Sequence, residues 1–170
     1  MPSAQDESVL EVLLDSWDRN NTILLNLLRC LPEGGLEARI AGSPSVAELF
    51  SHIHYVRLAF IAEDVPEFAR DLPQEWVVER DARLIAAQLN ESAQAVRDAV
   101  QSCVEAGKDT KLHYDHPILF LQHMIWHEGY HHGQIKLALK AAGRPVTDRE
   151  AGRVTWGVWM IKTRASAGVP

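Results

Sequence analysis

Cysteine is nearly absent. The 170-residue chain holds two, Cys30 and Cys103. They match no CxxC ligand spacing, which excludes a disulfide scaffold or a zinc ribbon. Both are expected to be small buried hydrophobes in a reducing compartment. Long apolar runs are absent as well. None reaches the roughly 18 residues that a membrane-spanning helix needs, so no membrane partner is expected. The opening residues, MPSAQDESV, are polar and acidic and lack the apolar core of a signal peptide, which makes the cytoplasm the expected location. An excess of positive charge is missing too. Lys and Arg number 17 against 23 Asp and Glu, for a net charge of −6. With no basic stripe to meet a phosphate backbone, nucleic acid is not an expected partner. No segment shows a convincing strand alternation, and there is neither an internal repeat nor a low-complexity stretch.

What the chain does have is helical periodicity, four times over. In residues 8–31 apolar side chains recur at Val9, Val12, Leu13, Trp17, Leu24, Leu27, Leu28 and Leu31. Pro32 and the Gly34–Gly35 pair end that stretch. A second helix is expected over 45–63. Ser45 and Glu48 have the spacing of a capping box, and Leu49, Ile53, Val56 and Phe60 make the apolar stripe. Residues 64–80, with Pro66 and Pro73, read as a long loop with room for a short helical turn. The third helix, 81–106, carries Leu84, Ile85, Leu89, Ala93, Val96, Val100 and Val104, and Gly107 stops it. Residues 108–116 are polar, with Lys111 to Tyr114 able to form a short extended piece. Asp115 can cap a fourth helix over 117–142, with Pro117 in its first turn and Gly143 closing it. In the tail, 144–170, Trp156, Trp159 and Met160 are too apolar for water. They are expected to pack back on the body or to cover a partner surface. The fold class is therefore all-α, a four-helix bundle of one domain, 1–170.

The most informative stretch is Phe120 to Gly143, FLQHMIWHEGYHHGQIKLALKAAG. It holds four of the eight histidines. His123, His127 and His131 recur every four residues. Each such step turns a helix by about 400°, so the side chains drift by only ~40° and rise ~6 Å along one face. Two imidazoles at i and i+4 can hold one transition-metal ion. His52 lies beside the apolar stripe of the second helix, and bundle interiors build metal sites from facing helices. His54 sits two positions further round and is the alternative. His113 and His116, in the loop before the fourth helix, are expected to be solvated.

The string His127-Glu128-Gly129-Tyr130-His131 also matches HExxH, the zinc-protease signature, with Glu128 as general base and Glu150 as a third ligand. Against that reading, no further histidine follows His132. No sheet edge is expected to hold a peptide either.

His127-Glu128-x-x-His131-His132-Gly133-Gln134-Ile135, ending at Gly143, resembles the closing motif of the DinB/YfiT-like proteins, roughly H-x-x-x-H-[RH]-G-Q-[IV]. His52, after the Ser45–Leu49 start, resembles that family's first ligand position. The resemblance covers most of residues 5–143. It implies an up-down-down-up four-helix bundle, with 64–80 as the crossover between helices two and three. It implies a divalent metal, zinc or nickel, held by His52, His127 and His131, with coordination positions left open. Gln134, Glu128, His123 and Tyr130 are then expected at the pocket or supporting the ligands, with Glu128 a salt-bridge neighbour. His132 stands where relatives often have arginine. The implied function is a metal-dependent enzyme on a small molecule, a thiol-dependent transferase or isomerase or a hydrolase. A low-molecular-weight thiol is a possible second cofactor. A non-catalytic metal-binding stress protein is the alternative. A homodimer is expected from the same resemblance.

Overall fold

A computed structural model describes residues 4–69 and 77–161. It is all-helical, with no strand among the described residues. Four long helices dominate: α1 Ala4–Arg29, α2 Val46–Asp64, α3 Ala82–Ala106 and α4 Pro117–Ala141. A short α5, Asp148–Ala151, and a 3-10 turn, Trp156–Met160, follow them.

The stripe on α1 runs Leu10, Leu14, Trp17, Asn21, Leu24 and Leu28, all buried. Its steps of four and three residues give one continuous face. Val9 and Val12 fall off that face and are 59% and 49% exposed, contrary to the expected stripe. Leu84 on α3 is likewise exposed, and the buried face there is built from Ile85, Leu89, Ser92, Val96, Ala99 and Val100. Small residues on this face let α3 pack closely against both α1 and α2. α4 closes the bundle against α1, α2 and α3.

The helix ends follow from local chemistry. Ser45 and Glu48 form the full capping box: the Glu48 amide donates to Ser45 Oγ (3.3 Å), and the Ser45 amide to the Glu48 carboxylate (2.6 Å). Asp81 caps α3, and Gly107, at φ 61°, lets the chain leave it. α4 is capped by the imidazole of His116, whose Nδ1 accepts from the Ile118 amide at 3.1 Å. The expected cap, Asp115, is exposed and uninvolved.

No extended piece forms at Lys111–Tyr114. The buried Asp64, the last residue of α2, gathers that segment instead. Its carboxylate accepts from the Leu112 and His113 amides at 3.0 and 2.8 Å and from His113 Nδ1 at 2.8 Å, and its carbonyl accepts from the Lys111 amide. Burial alone would raise the Asp64 carboxyl, but the bonds from His113 and Leu112 outweigh it and hold the group below the ordinary carboxylate value. His113 is exposed, as expected, and also hydrogen-bonds the Asp64 carboxylate through Nδ1. In the crossover, Pro66–Phe68 makes a 3-10 turn, as the long-loop reading allows. Residues 70–76, Pro73 among them, lie outside the described residues.

The tail as far as Ile161 folds back onto α1. Asn26 donates to the Val154 carbonyl at 2.6 Å, and Arg19 to the carbonyls of Val158 and Ile161. Val146, Ala151 and Val158 are the anchors that become buried. Trp156, Trp159 and Met160 stay 50%, 43% and 68% exposed, so they do not cap the bundle. Residues 162–170 lie outside the described residues.

Candidate metal centre

Three histidines meet between α2 and α4. His127 and His131 share a face of α4, and His52 reaches them from α2. His127 Nε2 lies 2.9 Å from His131 Nε2 and 3.3 Å from His52 Nε2. One nitrogen from each ring falls within 4.8 Å of the other two. Two nitrogens bound at about 2.0–2.1 Å to one ion stand roughly 2.9–3.4 Å apart for angles of 90–109°. Both separations match those of neighbouring ligands on one ion. Hydrogen bonds between neutral rings pair such nitrogens two at a time, whereas a cation accepts all three lone pairs at once.

The electrostatics keep the rings neutral. Burial pulls His127 down to about 3, and the neighbouring His131 and His52 add to it. Burial, then His131, lowers His52. Burial also lowers His131, although Gln134 and Glu128 partly oppose it. Gln134 Oε1 accepts from His131 Nδ1 at 2.7 Å. A carboxamide oxygen only accepts, so the His131 proton sits on Nδ1 and its Nε2 presents a bare lone pair to the cluster. His127 Nδ1 is buried without a hydrogen-bond partner. Neutral nitrogen donors suit zinc, nickel, copper or iron, and the cluster is compatible with metal binding.

A model of the DinB family matches residues 1–157. The chain belongs to the DinB family. No curated protein and no solved structure matches it.

The other candidate residues of this DinB-family protein take distinct places. His54 turns away from the cluster, its Nδ1 2.9 Å from the Gln88 carbonyl on α3. His123 pairs through Nδ1 with the Tyr114 hydroxyl at 2.7 Å, and its ring stands 6.3 Å from that of His127. Tyr130 is exposed, stacks on Trp126 and meets the His131 ring edge-on at 5.3 Å. Glu150 caps α5 through Thr147 and takes no part in the cluster.

Glu128 is fully buried and locked. Its oxygens take Arg57 Nε at 2.6 Å and Nη2 at 2.7 Å, and Asn20 donates to it at 2.5 Å. No carboxylate oxygen is left to polarise a water, which removes the general base that an HExxH protease requires. Arg57 completes itself with the Leu89 carbonyl, Asn21 and Ser92, and its guanidinium lies 4.7 Å from the Trp17 ring centroid.

Sequence reasoning passed over Arg57, Asn20 and Asn21. A signal was present: Arg57 stands four residues after Ile53 on an otherwise apolar face, and Asn21 occupies a position of the α1 stripe. Tyr114 and Asp64 were also missed, because their roles depend on a loop whose path periodicity does not describe.

The depressed histidines make stability depend on pH. His52, His54, His127, His131 and His132 all lie below the usual imidazole value, with burial the first cause in each. The unfolded chain takes up these protons near pH 6.5 and the folded chain only further down. The unfolded state therefore binds more protons in that window, and stability rises with pH. In metal-free protein the urea midpoint is expected to fall from pH 7.5 to pH 5, before carboxylates titrate. An unchanged midpoint would refute this.

Proposed function

We propose that this DinB-family protein is a metal-dependent enzyme acting on a small molecule, with a divalent zinc or nickel ion held by His52, His127 and His131. The observation that carries the reading is the convergence of three neutral imidazole nitrogens, two pairs of them at 2.9 and 3.3 Å. Three protein ligands leave coordination positions for water or substrate, the layout of a catalytic site. When bound, such an ion lowers the pKa of a water or takes a thiolate directly. The reaction classes that fit are transfer or isomerisation with a low-molecular-weight thiol, and hydrolysis.

The chain's own residues supply positioning. Gln134 fixes the tautomer and the ring plane of His131. The Glu128–Arg57 pair ties α4 to α2, and so sets the distance from His127 and His131 to His52. His123 and Tyr114 form a hydrogen-bonded pair one turn before His127. The second reading, a metal-binding protein without catalysis, is favoured by one observation: Glu128, the carboxylate next to a ligand, has no free oxygen.

Elemental analysis of the purified protein tests the ion; less than stoichiometric metal overturns the reading. Turnover of thiol conjugates that disappears in His131→Ala separates enzyme from binder. A metal-loaded protein inactive on thiol conjugates and on a panel of hydrolysable esters and amides leaves the binder.

We also propose the up-down-down-up order of a single bundle domain. The packing of α3 against both α1 and α2 supports it. We also propose a homodimer through the outer face of α4. Leu119, Trp126, Tyr130 and Leu137 are 49%, 72%, 56% and 55% exposed there, with no exposed acidic residue between them. Gly129 and Gly133 have open space above them, which lets a second helix approach. The four side chains offer on the order of 500 Å² per protomer, enough for the lower end of specific interfaces. Sedimentation velocity is expected to show a dimer at micromolar concentration and a monomer for Trp126→Glu. A monomeric wild type at 100-fold higher concentration would overturn this.

A further inference from the structure

One turn beyond His131, a cavity of about 160 Å³ opens between α4 and the segment that leads into α2. Ile40, Pro44, Leu49, Leu137 and Ala138 give it apolar walls, and Gln134 and Ser43 are its polar lining residues. Gln134 also carries the hydrogen bond to His131. With Oε1 committed to that bond, the amide NH2 has no partner among the described residues and is the group left to donate to a guest. A dry apolar cavity of about 150 Å³ accommodates one benzene, so this one suits a six-carbon ring or a branched chain of similar size.

We propose that the cavity is a subsite for the apolar part of a small carbonyl compound, whose oxygen accepts a hydrogen bond from Gln134. The same amide then touches the guest on one side and His131 on the other. This places the carbonyl between the apolar walls and the histidine cluster. The inference rests on the metal-centre reading only for what lies at the guest's polar end. Filling of the cavity itself does not require the ion.

The test is ligand-observed fluorine NMR with para-fluoroacetophenone and fluorobenzene, on full-length protein with and without added zinc. The same samples are assayed for bound metal. Saturable binding of both probes is expected. Leu137→Trp, at an exposed position on the rim, is expected to weaken both at least tenfold, and Ile40→Trp serves as a second obstruction. Gln134→Glu, which keeps an acceptor for His131 and removes the donor, is expected to weaken the ketone at least fivefold and to leave fluorobenzene unaffected. Binding that ignores both tryptophans overturns the subsite. Equal loss of the two probes in Gln134→Glu overturns the hydrogen bond. Probe binding in protein that retains no metal even after zinc is added sinks the metal centre and leaves the subsite standing. Metal without probe binding does the reverse.

Discussion

Alanine at Glu128 is expected to lower the unfolding free energy by about 3–5 kcal/mol, the cost of stranding one member of a buried ion pair. Both side chains are fully shielded from solvent, and the contact is a two-pronged one at 2.6 and 2.7 Å. Removal of the carboxylate leaves a guanidinium walled in by Trp17, Leu89, Asn21 and Ser92, with no route to water. For a chain of this size the loss corresponds to a melting temperature lower by roughly 6–20 °C. Arg57→Leu alone is expected to be comparably damaging, because it buries an unpaired carboxylate. The double variant Arg57→Leu/Glu128→Ala is expected to be more stable than the sum of the two losses predicts, since a pair replaced by apolar groups avoids both stranded charges. Urea denaturation of the four proteins measures this. A Glu128→Ala protein within 1 kcal/mol of wild type would show the pair to be structurally idle.

Loss of metal affinity by at least about 100-fold is expected for His52→Ala, His127→Ala and His131→Ala, each of which removes one of the three proposed ligands. By linkage, an ion at about a thousand times its dissociation constant stabilises the folded state by about 4 kcal/mol. Added zinc or nickel should therefore raise the melting temperature of the wild type by roughly 8–16 °C. It should do little for the three variants. Gln134→Ala, which frees the His131 ring to rotate, is expected to fall between, at roughly 10–100-fold weaker binding. His54→Ala is the control that discriminates. Its ring is bonded to the Gln88 carbonyl and stands apart from the cluster, so metal affinity should match the wild type. If His54→Ala loses the ion and His52→Ala keeps it, the assignment on α2 is reversed.

Both results bear on the five-residue HExxH string. A match of residue types at fixed spacing carries no information about what each side chain faces. His127 and Glu128 differ by one position, hence by roughly 100° around α4. That rotation puts one at the histidine cluster and the other against Arg57, and the second placement makes the protease reading fail.

Four long helices, their ends at Ser45 and Gly107, and the shared face of His127 and His131 were legible in the sequence. Each depends on residues within about a turn of one another, where backbone geometry is the same in any helix. His52 was legible as a candidate because it borders a stripe, but periodicity alone left His54 open beside it. The crossing of α2 and α4, a long-range packing event, decides which ring arrives. The same crossing makes a core residue of Arg57, whose place four residues after Ile53 hinted at burial but could not name the carboxylate that pairs with it. Asn20 and Asn21 have low helix propensity and are buried partners of that carboxylate and arginine. The tail followed the same division. Its apolar content announced that some of it would be covered, yet Val158 is buried and Trp159 is not, because only the surface of α1 determines which side chains fit against it. Sequence by itself determined the elements and the donor atoms available to an ion. Tertiary structure decided which donors meet and which charge is paired, because burial and convergence are properties of two helices together and of neither alone.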